Sequence, residues 1–234
     1  LLTVVTIRFV QNRRREHRRQ LARTATQSSV PEEAPTVGAG QSRWESTPTR
    51  WTMRRRERAM RDPIHVDRIL TSATVCRLAF AAGDEPYLVT LSYGLAGSVA
   101  GGMEWNEPAL CFLVGNGTTP RLYFHSAPEG RKMEMIKKNP RVCFEVIGKW
   151  KTVPGRKACG WTARYESVVG YGVLAEVRDE DEMRAGLTAI LRQSGAVGPI
   201  DLPSDALSGA AVLRLSIEEI SGKSNWPDGE VSDG

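Results

Sequence analysis

The chain has 234 residues, of which 41% are hydrophobic and 25% charged, a composition typical of soluble globular proteins. No apolar run approaches the roughly 18 residues that a membrane-spanning helix requires. The net charge of +5 comes from residues 1–50, because residues 51–234 hold 23 basic and 23 acidic residues. These counts exclude an integral membrane protein and do not support a basic nucleic-acid-binding face spread over the folded part. We therefore expect no membrane and no nucleic acid as partners.

The first 52 residues combine clustered arginines with a stretch rich in Ser, Thr, Pro and Gly, which does not build a packed core. We expect a disordered basic extension over 1–52 and a flexible tail over 227–234. The four cysteines stand singly, which favours reduced thiols and a reducing compartment. A cytoplasmic location follows, with the mitochondrial matrix as the alternative if the basic leader is a transit peptide.

From Met60 onward, strand signals alternate with short helix signals. Helices are predicted after Asp62-Pro63, after a capping box that begins at Ser126, and at the acidic run that begins at Asp179. The predicted strands are Val75–Ala81, Tyr87–Tyr93, Ala109–Val114, Leu122–His125, Val142–Ile147, Tyr165–Val177 and Ala211–Ile217. Short strands without βαβ regularity predict an α+β protein over residues 53–226, built on an antiparallel barrel with a few flanking helices.

The segment Leu122–Lys132 predicts a strand that leads directly into a helix. The N-terminus of a helix exposes free backbone N–H groups and favours an anion. Ser126 adds a hydroxyl, and Arg131 and Lys132 add two positive charges on the same turn. The pattern predicts a phosphate site, with a solvated basic helix face as the alternative. His125 beside it is either a histidine of the sheet end or a functional group.

Several sequence blocks, in order, resemble the nitroimidazole-resistance (Nim) type proteins of the pyridoxamine 5'-phosphate oxidase-like, FMN-binding split-barrel superfamily. These blocks are Val75–Phe80, Asp84–Gly94, Leu122–Ala127 with Gly130–Lys132, Asn139–Glu145 and Tyr165–Gly172. The resemblance spans roughly residues 53–223, and several ordered blocks are more specific than one motif. It implies a six-stranded split β-barrel that forms a homodimer, with an FMN at each of two sites in the subunit interface.

The resemblance also implies the residues of the site. The implied cofactor contacts are Val89, Thr90, Leu91 and Ser92 along the flavin ring, His125 and Ser126 at a strand end, Arg131 and Lys132 on the phosphate, and Glu166 and Ser167 on a later strand. His125 is the candidate catalytic residue, and no metal site is expected. The chain departs from the family at Thr90, where proline is usual, and in a longer connection from Tyr93 to Leu122.

The function implied is an FMN-dependent oxidoreductase that uses NAD(P)H to reduce a small organic acceptor, a nitroaromatic being one class. A flavin- or haem-binding protein without turnover is the alternative, because the same barrel hosts both kinds of function. Pyridoxamine 5'-phosphate oxidation ranks third, since no copy of that enzyme's C-terminal substrate-binding segment is recognisable. The aromatic residues Trp150, Trp161, Tyr165 and Tyr171 either stack on a ligand or belong to the core or a dimer interface.

Overall fold

The computed structural model describes residues 53–97, 103–106, 111–114, 120–203, 207 and 209–227. In the segments 103–106 and 111–114 the description is of the backbone alone. The predicted extension over 1–52, most of the predicted tail and parts of the long connection before Leu122 lie outside the described residues.

The α-helices that pack on the sheet begin where the sequence supplies a start signal or a sharp turn. They are α1 at Pro63–Ser72, α2 at Arg131–Lys138 and α3 at Glu180–Gln193. The predicted cap at Asp62 is confirmed, since its carboxylate accepts the N–H of Ile64 at 2.9 Å. Asp179, which was predicted in the first turn of its helix, is the N-cap instead and accepts the N–H of Glu182 at 2.8 Å. In the described part of the chain, no helix is long and apolar enough to cross a membrane.

All the described strand pairs are antiparallel. The strands are β1 Val75–Ala82, β2 Glu85–Ser92, β3 Gly94–Ala96, β4 Met103–Asn106, β5 Cys111–Val114, β6 Arg121–Ser126, β7 Arg141–Val153, β8 Thr162–Val177 and β9 Ala211–Ser224. The order across the sheet is β2-β1-β7-β8-β9-β5-β4, and β6 pairs with both β9 and β3.

The sheet curls into a barrel with a split. Because β3 continues from β2 and pairs with β6, the sheet closes on itself there, whereas β2 pairs with β1 alone among the described strands. Gly172 lets β8 approach β9, since a Cβ at this position would lie 2.2 Å from the Ser216 carbonyl oxygen. The predicted α+β split barrel is confirmed.

Strands β7 and β9 run further than predicted. The composition of Gly148–Lys157 predicts a polar, basic loop, but β7 continues to Val153 and pairs with β8 over that length. Lys149 and Lys151 alternate with Trp150 on a ribbon whose side chains are largely exposed. The apolar alternation that marks a half-buried strand is therefore missing from the sequence there.

The core fills the barrel and extends under two helices. Its fully buried residues include Leu78, Phe124, Phe144, Leu213 and Leu215, and each such side chain contributes roughly 1.5–3 kcal/mol of transfer free energy. Helix α1 covers β7, β8 and β9, and α3 covers β3 and β6. Helix α2 lies against β1.

Candidate functional site

The outward face of β2 is open. Leu88, Thr90 and Ser92 are exposed on this face, whereas the side chains of Val89 and Leu91 pack against the core. The second edge of β2 pairs with no described strand, so it presents backbone N–H and C=O groups to a ligand or to solvent. Of the four residues predicted to line a flavin, Val89 and Leu91 therefore offer their main chain, and Thr90 and Ser92 also offer hydroxyl groups.

The end of β6 places His125 and Ser126 on opposite faces. Ser126 is buried, and its hydroxyl donates to the Ala127 carbonyl oxygen at 2.9 Å. His125 lies on the outer face, where its ring reaches solvent but is partly covered by neighbouring residues. The predicted capping box at Ser126 is wrong, because pairing with Ala211 of β9 keeps Ser126 within the sheet.

The N-terminus of α2 has no side-chain cap. Its N-cap is Gly130, which has φ +110° and accepts the N–H of Glu134 at 3.1 Å through its carbonyl oxygen. A left-handed φ of this kind favours glycine. Met133 and Met135 are buried and anchor the helix. The first-turn N–H groups that precede Glu134 receive no side-chain acceptor, which leaves them available to an anion.

Lys132 on this turn is half-buried and makes no ion pair or hydrogen bond with any described residue. Burial lowers the pKa of Lys132. Burial also lowers the pKa of His125, and the nearby charge of Lys132 is the second cause. A cation withdrawn from water without a carboxylate partner is stabilised by a bound anion. The uncapped turn and Lys132 therefore form an anion site, with His125 beside it.

Arg131 is directed elsewhere. Its guanidinium pairs with the Glu85 carboxylate and lies 4.7 Å from the ring centroid of Tyr87, a cation–π contact. The two cations that the sequence presents as equivalent therefore differ: Arg131 joins α2 to the first turn of β2, and Lys132 stays unpaired within the described residues. Glu85 and Tyr87 lie in a sequence block that carries the family resemblance, but neither was predicted to contact Arg131.

Glu166 and Ser167 lie apart from this site within one chain. The Glu166 carboxylate is buried beside α1, with Oε1 at 3.3 Å from His65 Nε2 and 3.6 Å from Arg68 Nη2. Along β8, roughly 35 Å of strand separates Glu166 from Val177, whose cross-strand partner Val212 pairs with His125. The structure thus brings together the β2 edge, His125 and Lys132, and leaves Glu166 and Ser167 outside the group.

The carboxylate of Glu182, in the first turn of α3, links this helix to β6 and β9 on the face that carries His125. Glu182 accepts hydrogen bonds from Arg214 at 2.9 Å and from the Tyr123 hydroxyl at 2.9 Å, and it lies 3.5 Å from Arg121. The Arg214 hydrogen bond is the main cause of a lowered pKa at Glu182. This cluster fixes α3 on the outer face of β6.

A family model described as pyridoxamine 5'-phosphate oxidase matches residues 62–224. Similar solved structures include a Bacteroides thetaiotaomicron protein provisionally named for 5-nitroimidazole antibiotic resistance, at 23% identity over 70% of this chain and 85% of that chain, with a TM-score of 0.54.

A flavocytochrome from Azotobacter vinelandii is 18% identical over 78% of this chain and 76% of its own, with a TM-score of 0.55. An FAD- and heme-binding protein from Mycobacterium smegmatis is 14% identical over 74% and 77%, with a TM-score of 0.50. No curated protein matches. At these identities the solved structures support the fold alone.

Proposed function

Since the chain belongs to the pyridoxamine 5'-phosphate oxidase family, we propose that it is an FMN-dependent oxidoreductase. In this proposal NAD(P)H is the electron donor and a small organic molecule, such as a nitroaromatic, is the acceptor. The observation that carries the proposal is Lys132, a half-buried cation with no carboxylate partner in the described chain, on the uncapped first turn of α2. Such a turn suits a phosphate.

The residues present fit a flavin monophosphate. Lys132 and the first-turn N–H groups would hold the phosphate, and the free edge of β2 would supply main-chain hydrogen bonds to the ring. Arg131 is engaged by Glu85, so one unpaired cation remains on the described turn, which favours a single phosphate over a pyrophosphate. When bound, a flavin supplies hydride-transfer chemistry, and the protein binds and orients it.

His125 is the group we assign to proton handling. Its lowered pKa keeps the imidazole neutral at neutral pH, so one ring nitrogen carries a proton and the other can accept one. Its place on the outer face of β6, beside Lys132, puts it at the border of the anion site. In this assignment, His125 donates a proton to the acceptor molecule or accepts one from it. Thr90 and Ser92 supply hydroxyl groups on β2.

The proposal includes a homodimer with the flavin between two subunits. The outward face of β2 carries exposed Leu88, Thr90 and Ser92, and no described element covers it. A flavin bound on this face would have one side walled by this chain and the other side in water. A second subunit would exclude that water, which strengthens hydrogen bonds to the ring.

A visible absorption spectrum of the purified full chain tests the proposal, with the released cofactor identified by mass. Flavin bands and FMN in the supernatant support it, and NADH or NADPH oxidation with a nitroaromatic acceptor then tests turnover. A Soret band would instead favour the haem-binding alternative. The absence of a chromophore, together with failure to bind added FMN, would refute the proposal.

A further inference from the structure

Residues 148–165, which we call the arm, form a ribbon of two paired strands that extends past the barrel. The pairing of β7 with β1 ends at Glu145, whereas its pairing with β8 continues as far as Val153. At the tip, Gly155 and Gly160 pack so closely that a Cβ on Gly155 would lie 2.3 Å from the Gly160 carbonyl carbon. The arm is therefore a preformed surface that stands clear of the barrel.

The arm carries five cations and no carboxylate. The cations are Lys149, Lys151, Arg156, Lys157 and Arg164. Lys151, Arg156 and Lys157 are exposed, and Lys151 lies directly opposite Arg164 on the neighbouring strand. Like charges in directly opposed positions repel each other, so a segment of negative charge would stabilise this surface.

The elements that border the arm do not supply the missing negative charge. These elements are residues 53–68 and 222–227 together with Glu166, and they hold seven basic and four acidic residues. Of these carboxylates, Glu57 lies 3.5 Å from Arg55, and Glu166 is buried beside α1. With the cations of the arm, this end of the molecule therefore holds twelve basic residues against four acidic ones.

The chain leaves β9 alongside the arm. The Asn225 N–H donates to the Tyr165 carbonyl oxygen at 3.1 Å, and the Asn225 side chain donates to the Ala163 carbonyl oxygen at 2.6 Å. Trp226 then packs against the arm, with Lys149 Nζ 5.3 Å from its ring centroid, a cation–π contact. The residues that follow Trp226 in the sequence therefore start beside the basic surface.

The segment 228–234, which lies outside the described residues, has the complementary charge. It contains three acidic residues and no basic one, the acidic residues being Asp228, Glu230 and Asp233. Seven extended residues span at most about 25 Å, and the strand from Lys149 to Val153 is roughly 13 Å long. The segment is therefore long enough to follow the arm to its tip.

We propose that residues 228–234 dock on the arm, where their carboxylates neutralise Lys151, Arg156 and Lys157. Ion pairs between exposed groups are individually weak, but a segment attached to the arm through Trp226 has a high effective concentration there. An anionic macromolecule would then have to displace the segment before it could contact the cations of the arm. This inference goes beyond the proposed function, because it requires no bound flavin.

A cross-link in the full chain tests the docking. Val231→Cys places a thiol on the segment, and Cys159 offers an exposed thiol at the tip of the arm. At low salt we expect oxidised glutathione to join these two thiols within one chain, as identified by peptide mass mapping. Adding Asp228→Asn, Glu230→Gln and Asp233→Asn should slow the reaction about fivefold. Because the loss of nearby negative charge lowers the pKa of the introduced thiol and favours its reaction, slower cross-linking reports lost docking.

The matched control combines Val231→Cys with Glu176→Gln, Glu180→Gln and Asp181→Asn. It removes three exposed carboxylates away from the arm and should leave the cross-linking rate unchanged. Salt raised to about 0.5 M should slow cross-linking as much as neutralising the segment does. Equal rates in the neutralised chain and the control, or a rate independent of salt, would overturn the inference, because the tether alone would then bring the thiols together. A disulfide between two chains would also overturn it and would assign the surface to the segment of a second copy.

Discussion

The first turn of α2 and the arm (residues 148–165) are both basic, yet their cations have different surroundings. On the arm, Lys151, Arg156 and Lys157 are exposed, and water and salt screen them. On α2, Lys132 is half-buried and lacks a carboxylate partner in the described structure. An exposed cation needs no ligand, whereas a desolvated one gains free energy from an anion. Burial without a partner, and not the number of charges, therefore marks the site for a small anion.

The largest effect on the cofactor should follow from removing the charge at Lys132. We expect Lys132→Gln to weaken FMN binding by about ten- to a hundredfold, because a hydrogen bond to a charged group contributes roughly 1.5–3 kcal/mol. Titration of flavin fluorescence measures the change. Lys137→Gln is the matched control, since Lys137 lies on the same helix but is exposed. Equal losses in both variants would show that the helix as a whole, and not the desolvated lysine, attracts the phosphate.

Glu182 is the opposite case to Lys132, because its carboxylate forms ion pairs with Arg214 and Arg121. We expect Glu182→Gln to reduce the free energy of unfolding by about 2 kcal/mol, measured by urea denaturation. Glu180→Gln should cost about 0.5 kcal/mol, since Glu180 forms an exposed i,i+4 pair with Arg184. A similar loss in both variants would contradict a special role for Glu182.

The pH dependence of this contribution has a defined sign. The pKa of Glu182 is lowered in the folded chain from an ordinary value of 4.5. Its contribution to stability is therefore complete above that ordinary value and is lost as the pH falls through the lowered one. Urea midpoints measured on the acid side should converge for wild type and Glu182→Gln.

Arg131 gives a smaller effect of a different kind. Because its charge is paired with Glu85 and stacked on Tyr87, we expect Arg131→Ala to reduce the free energy of unfolding by about 1 kcal/mol. FMN affinity should fall less than in Lys132→Gln. Thermal unfolding and flavin titration on the same samples separate the two quantities. A loss of affinity as large as that of Lys132→Gln, without a change in stability, would restore Arg131 as a phosphate ligand.

Local signals made the fold and part of the site predictable from the sequence. The cap at Asp62, the helix that begins in the acidic run at Asp179 and the alternation of β1 require only neighbouring residues. The pairing of Arg131 with Glu85 was not predictable, because it joins residues that are distant in sequence and follows no period. The paired strands of the arm were not predicted, because both of its faces are largely exposed. Apolar alternation, the main sequence signal of a strand, is therefore absent there.

The smallest effect should come from His125 and should appear only as a pH dependence. Its pKa is lowered by burial and by the charge of Lys132. As the pH falls through this lowered pKa, the imidazole gains a positive charge beside the anion site, so FMN should bind a few-fold more tightly. The flavin phosphate itself titrates near pH 6, which changes the affinity of every variant. The contribution of His125 is therefore the difference between wild type and His125→Asn, measured by titration across the same pH range. Parallel curves would place the imidazole too far from the phosphate to act on it, and the desolvated lysine would then hold the anion with backbone N–H groups alone.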